Sequence, residues 1–207
     1  MALNYEDQFF SSKIRYIAGT DEAGRGSLAG PVCAAAVILP KNFKCEEIND
    51  SKQLSDKKRR ALFIVIKKRA LAYAIVFVTP KKIDEINILE ASRLAMSEAI
   101  CKLNHRFDMI ISDAMKLPKF DVRVLDLVKG DEKAECVAAA SILAKVARDD
   151  LMIEMDKKFP LYSFKINKGY GTKSHLLALE KYGPIKDFHR FSYKPVINSL
   201  NRQMTLF

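Results

Sequence analysis

The chain has 207 residues, 49% of them hydrophobic and no low-complexity tract, which suits one domain with a sizeable core and excludes a disordered tether. No apolar run approaches the ~18 residues that cross a bilayer, and the segment 1–12 carries Glu6 and Asp7 without an apolar stretch, so a cytoplasmic protein without span or secretion signal is expected. The net charge of +10 is concentrated: between Lys157 and Arg202 stand ten Lys/Arg against two Asp/Glu, interleaved with eight aromatic residues.

Tyr16 to Gly19 opens a strand that ends near Asp21. Val32 to Leu39 is a second strand, whose unbroken apolar run suits burial on both faces. Asp56 to Arg69 reads as a helix with Leu62, Val65 and Ile66 inward, and with the basic clusters Lys57–Arg60 and Lys67–Arg69 on its wet side. Leu71 to Val78 is a third strand, stopped by Thr79-Pro80. Ile88 to Leu103 is a second helix, and Asp108–Ser112 and Val122–Val128 are short strands. A long helix follows from about Glu132 to Lys157, where Ala138, Ala139, Ala140, Ala144 and Ala147 permit close approach to a sheet. Thr172 to Tyr182 is the last clear helix, ended by Gly183-Pro184, and the chain after Pro195 reads as poorly packed. Strands first, then alternating helices and strands, indicate α/β with a mixed sheet.

Cations interleaved with rings, as in the C-terminal quarter, suit a polyphosphate with bases or sugars to stack on. The plainer reading of the same residues is a solvated basic face over a small aromatic core. Cys33, Cys45, Cys101 and Cys136 show no CxxC spacing, so free thiols in a reducing compartment are expected rather than a zinc site or a disulfide framework.

Four acids stand where carboxylates could converge. Asp21 and Glu22 close the first strand just before Gly24-Arg25-Gly26, whose glycines allow a tight turn and close backbone approach. Asp113 follows the strand Met109–Ser112, and Asp131 follows Lys129-Gly130 at the start of the alanine-rich helix. Each has a bland alternative. Asp131 reads as a helix N-cap worth ~0.5–2 kcal/mol, Asp113 as a turn acid, and Glu22 as a surface partner of Arg25. Spacing alone does not bring the four together.

The run Asp21-Glu22-Ala23-Gly24-Arg25-Gly26-Ser27-Leu28-Ala29-Gly30-Pro31-Val32 resembles the opening signature of the ribonuclease HII family. Further blocks match in order: Asp50–Ser55, Lys129-Gly130-Asp131, Ala138–Val146 with Arg148-Asp149, Lys168–Thr172, and a closing block at His189-Arg190 and Lys194-Pro195-Val196. The resemblance covers residues 14–197 and implies a ribonuclease H-like mixed sheet flanked by helices, with a small helical C-terminal part. It divides the chain into a catalytic core (14–155), a basic, aromatic-rich substrate-binding part (156–197) and a flexible tail (198–207).

What it implies chemically is hydrolysis of the RNA strand of RNA–DNA hybrids. Cutting 5′ of ribonucleotides embedded in duplex DNA, to leave 3′-hydroxyl and 5′-phosphate ends, is also implied. Asp21, Glu22, Asp113 and Asp131 would be the catalytic, metal-holding carboxylates, with Mn²⁺ or Mg²⁺, and two ions, as cofactor. The Gly24-Arg25-Gly26 backbone would read the 2′-hydroxyl, Tyr170 would lie against the sugar beyond the ribonucleotide, and Lys52 and Lys168 would hold phosphates. Three positions depart from the family pattern. Ala114 stands where a small residue such as glycine usually follows the aspartate, Ser27 replaces a proline, and Tyr193 replaces a common phenylalanine. The tail Gln203-Met204-Thr205-Leu206-Phe207 resembles the short peptide by which bacterial proteins dock on the DNA sliding clamp. A monomer is expected. Two other readings use the same acids: a polynucleotide hydrolase acting on all-DNA junctions, and a non-catalytic nucleic-acid-binding module.

Overall fold

The structure, a computed structural model, describes residues 4–45, 47–48 and 54–204. Lys52, most of the Asp50–Ser55 block and Thr205–Phe207 of the proposed clamp peptide lie outside the described residues. Five strands, β1 (Ile17–Ala23), β2 (Val32–Ile38), β3 (Ala72–Val78), β4 (Met109–Asp113) and β5 (Arg123–Leu127), form one sheet in the order β3-β2-β1-β4-β5. β1, β2 and β3 pair antiparallel, whereas β1, β4 and β5 run parallel, so the sheet is mixed as expected.

Among the described residues six α-helices accompany it: α1 (Asp56–Arg69), α2 (Pro80–Cys101), α3 (Glu135–Lys158), α4 (Phe164–Asn167), α5 (Lys173–Tyr182) and α6 (Lys194–Met204). The apolar run of β2 is explained by its two covered faces. Cys33, Ala35 and Val37 join Val137, Ala140 and Ala144 of α3, while Val32, Ala34, Ala36 and Ile38 join the side covered by Ala95, Met96, Ala99 and Ile100 of α2. Small residues let α3 lie almost on the strands. A Cβ built on Gly19 would stand 2.3 Å from the Cys136 carbonyl carbon.

The structure corrects five expectations. β1 continues through Asp21 and Glu22, which pair with Ala35 and Ala34, so the turn begins only after Ala23. Thr79-Pro80 ends β3 but also starts a helix: the Thr79 hydroxyl accepts from the Lys82 N–H and Pro80 occupies the first turn. The helix expected at Ile88 is the second limb of α2, after a kink where Asn87 (φ 67°) accepts from the Leu89 and Glu90 amides.

α3 starts at Glu135 rather than Glu132, because Lys129 adopts φ 58° and Gly130–Glu132 form a 3₁₀ turn. Its free N–H groups at Glu135 and Cys136 donate to the buried carboxylate of Glu6, 129 and 130 residues away, and no pattern near the helix announces that cap. Finally, the chain after Pro195 is helical to Met204, with Val196 and Ser199 buried.

The C-terminal aromatics build a core of their own. Tyr162, Phe164, Phe188 and Leu179 pack with Met152 of α3 and Leu28 of the loop after β1. That cluster ties the basic C-terminal part to the turn following Asp21 and Glu22.

Candidate active site

At the carboxyl ends of β1 and β4, an open cavity of about 450 Å³ is lined by Asp21, Glu22, Asp113 and Asp131, together with Gly24, Arg25, Gly26 and Tyr170. The sheet explains the convergence. Thr20 pairs with Ser112 on the parallel neighbour, so Asp21 and Asp113 follow side by side on the face covered by α3. The Gly130 N–H donates to Asp113 Oδ1 at 2.7 Å, which seats the turn carrying Asp131 against the end of β4. Asp131 is 5% exposed and lies in the 3₁₀ turn; Ala134, not Asp131, is the N-cap of α3.

The acids crowd one another. Burial raises the Asp21 carboxyl well above its usual range, and the charges of Glu22 and Asp113 push the same way. Its Oδ1 accepts from the Glu22 amide at 2.7 Å. Burial also raises Glu22, partly offset by Arg25, whose Nη1 lies 3.2 Å from Glu22 Oε1. The bland pairing of Glu22 with Arg25 is therefore real, yet it uses only one oxygen. Glu22 Oε2 is buried without a hydrogen-bond partner among the described residues.

A buried, orphaned carboxylate oxygen beside two further acids is the environment that a hard cation relieves. Among the described residues no three His, Cys, Asp or Glu side chains form a ready-made ligating group. The four carboxylates nevertheless share one cavity.

Tyr170 is 37% exposed to this cavity and lies over the Arg148 guanidinium at 5.7 Å. Lys168 does not line the cavity; its Nζ donates to the Lys165 carbonyl at 2.7 Å. Three other polar residues of the cavity escaped sequence reading: Arg59, Ser141 and Lys145. Their signals were present. Arg59 stands three residues before Leu62 and seven before Ile66, the buried stripe of α1, so periodicity puts it inward rather than on the wet side. Ser141, Lys145 and Arg148 recur at helical spacing on one face of α3.

Ala114, the residue after Asp113, has φ 47°. That left-handed conformation is one that glycine adopts without the strain an alanine carries.

Comparison with known proteins adds a separate observation. A family model described as Ribonuclease HII matches residues 18–196. A ribonuclease HII of Caldanaerobacter subterraneus subsp. tengcongensis is 50% identical over 189 residues, 91% of this chain and 78% of that protein. One from Listeria monocytogenes serotype 4b is 52% identical over 192 residues, 93% of this chain and 73% of that protein. Among solved structures, ribonuclease H2 of Pyrococcus horikoshii superposes with a TM-score of 0.79 at 26% identity, covering 90% of this chain and 98% of that one. RNase HII of Archaeoglobus fulgidus, solved in complex with PCNA, gives 0.71 at 27% identity over 86% and 95% of the two chains.

Proposed function

This chain belongs to the ribonuclease HII family, and from that premise we propose how its own residues carry out the cut. It is a metal-dependent endoribonuclease that cleaves the RNA strand of RNA–DNA hybrids and acts at ribonucleotides embedded in DNA. The observation that supports the assignment of roles is the single cavity shared by four acids, the Gly24-Arg25-Gly26 turn and Tyr170.

Asp21, Glu22, Asp113 and Asp131 hold the divalent cations, Mn²⁺ or Mg²⁺, through oxygen donors that suit hard ions. Two such ions, if bound there, would supply positive charge at the scissile phosphate and assist in-line attack by water. The cut falls 5′ of the ribonucleotide and leaves 3′-hydroxyl and 5′-phosphate ends. The Gly24-Arg25-Gly26 backbone meets the 2′-hydroxyl, and Tyr170 lies against the next sugar and favours an RNA–DNA junction. Arg25, Arg59 and Lys145 face the phosphates nearest the acids, and Lys52 and Lys168 also hold phosphates. Residues 14–155 act as the catalytic core and 156–197 as the substrate-binding part, joined through the aromatic cluster around Phe164.

In the cell this activity removes ribonucleotides from DNA during repair and RNA primers during replication, in the cytoplasm. Among the described residues no helix is long and apolar enough to cross a membrane. The Archaeoglobus relative's PCNA complex supports a clamp-docking role for Gln203–Phe207.

Three matched duplexes, all-DNA, DNA with one ribonucleotide, and RNA–DNA hybrid, each assayed with Mg²⁺ and with Mn²⁺, test the reading. Cleavage is expected only where ribose is present. Asp21→Asn should abolish it while binding to the hybrid persists; normal turnover by that variant would overturn the carboxylate assignment.

A further inference from the structure

Beneath the Gly24-Arg25-Gly26 turn lie two arginines that do not line the cavity and, among the described residues, form no hydrogen bond to a carboxylate. Arg190 is 0% exposed and Arg148 1%. Arg190 spends all three of its nitrogens on the loop after β1. Nη2 donates to the Gly24 carbonyl at 2.7 Å, Nη1 to the Arg25 carbonyl at 2.7 Å, and Nε to the Gly30 carbonyl at 3.0 Å. The Tyr193 hydroxyl completes the arrangement. It accepts from Arg190 Nη1 at 3.0 Å and donates to the same Arg25 carbonyl at 2.9 Å. Asp84 holds the intervening turn by accepting from the Phe191 and Ser192 amides.

A trans peptide sets each carbonyl opposite the following N–H. Carbonyls 24 and 25 point down to Arg190, so the amides of Arg25 and Gly26 point up, to the side on which Gly24, Arg25 and Gly26 line the cavity. Gly24 has φ 94°, a conformation natural to glycine, and within the turn its carbonyl has only a long 3.4 Å bond from the Ser27 amide, so the short Arg190 contacts are the stronger hold on these peptide planes.

We propose that Arg190 and the Tyr193 hydroxyl are positioning residues for ribose recognition, a clamp that locks the Gly24-Arg25 and Arg25-Gly26 peptides with their N–H groups toward the substrate's 2′-hydroxyl. The proposal rests on the reading that this backbone meets the ribose. Arg148 does a parallel task beneath the same cavity: it donates to the Lys168, Ala29 and Pro31 carbonyls and lies 5.7 Å from the centre of the Tyr170 ring. The planar fork of arginine reaches two adjacent carbonyls at once, which a lysine does not.

The test compares duplexes carrying one ribonucleotide, or one 2′-fluoro nucleotide at the same position, cut by wild type, Tyr193→Phe and Arg190→Lys. The quantity read is the ratio of kcat/KM on the two substrates. Loss of one hydrogen bond at about 1 kcal/mol corresponds to a roughly 5-fold change. Tyr193→Phe is therefore expected to shrink the ribose preference by about 5-fold, mainly in kcat, and Arg190→Lys by more. A purely structural role lowers the active fraction and scales both substrates alike, leaving the ratio at its wild-type value; that result overturns the clamp. Tyr193→Phe keeps the test open if Arg190→Lys fails to fold, since it removes a single oxygen. A wild type that cuts both duplexes equally defeats the underlying ribose reading instead, so the two failures are told apart.

Discussion

The imidazoles of His175 and His189 meet Nε2 to Nε2 at 3.0 Å, and only one placement of their protons satisfies their neighbours. The Ile185 amide can only donate, so His189 Nδ1 accepts from it at 2.8 Å. The Tyr170 carbonyl can only accept, so His175 Nδ1 donates to it at 2.9 Å. The shared contact is then His189 Nε2–H donating to His175 Nε2, and both rings are neutral. This chain of bonds runs from the segment before Arg190 to the backbone of the cavity's tyrosine.

Burial, and then the neighbouring His175, depress His189 to about 3, and burial depresses His175. A histidine lowered in the folded state contributes stability that is full above its unfolded pKa of ~6.5 and is lost as pH falls from there toward the folded value. The stability that the His189 ring contributes should therefore fade between pH 7 and pH 5, read as a shrinking gap in thermal midpoint between wild type and His189→Asn, a comparison in which the buried acids common to both chains cancel. Ring ¹⁵N shifts should show His189 still in the Nε2–H tautomer at pH 5; a charged His189 at that pH contradicts the assignment.

Glu135 works in the opposite direction. Burial, and then the charge of Glu6, raise it to about 7, while its Oε1 accepts from the Cys45 amide. An acid raised on folding costs stability as pH climbs from the unfolded value of ~4.3 to the folded one. Glu135→Gln keeps the acceptor and removes the charge, so its thermal midpoint should exceed wild type at pH 8 and by much less at pH 5. A gain of equal size at both pH values would show that ionisation is not the cause.

Gly19→Ala should be among the most damaging single methyl additions in the sheet. The new Cβ would stand 2.3–2.6 Å from the backbone of Cys136 and Val137, which cannot rotate aside. Overpacking of this kind costs about 1–3 kcal/mol and sometimes more. Because Asp21 lies two residues along the same strand, activity at a permissive temperature should drop too. Urea unfolding with an unchanged midpoint would refute the close approach of α3.

At Ala114 the opposite is expected. Its φ of 47° costs a non-glycine residue about 1–2 kcal/mol, whereas glycine adds about 0.4–1 kcal/mol of unfolded-state entropy. Ala114→Gly should thus stabilise by roughly 0.5–1 kcal/mol in the same assay, and a clear loss would argue against the left-handed backbone beside Asp113.

Arg59 is expected to touch a phosphate. In an Asp21→Asn background, which isolates binding from cutting, Arg59→Ala should flatten the slope of log affinity against log salt by about 1. An unchanged slope would return Arg59 to the solvated face of α1.

The strands and helices were legible because their periodicity is local: the doubly apolar β2, the stripe of α1 and the alanine face of α3 declare how each is buried. The four acids were legible as individuals, each beside a strand end or a turn, and their common purpose came from resemblance to a family. What only the tertiary structure decided is contact between distant segments. Glu6 caps α3 from the N-terminal region, parallel pairing of β1 with β4 brings Asp21 to Asp113, and Arg190 reaches back 165 residues to the Arg25 carbonyl. Sequence patterns record which faces a segment buries, since burial repeats with the helix or strand period. They carry no record of which remote hydrogen-bond partner that burial meets, because any donor of suitable shape satisfies a carbonyl equally well.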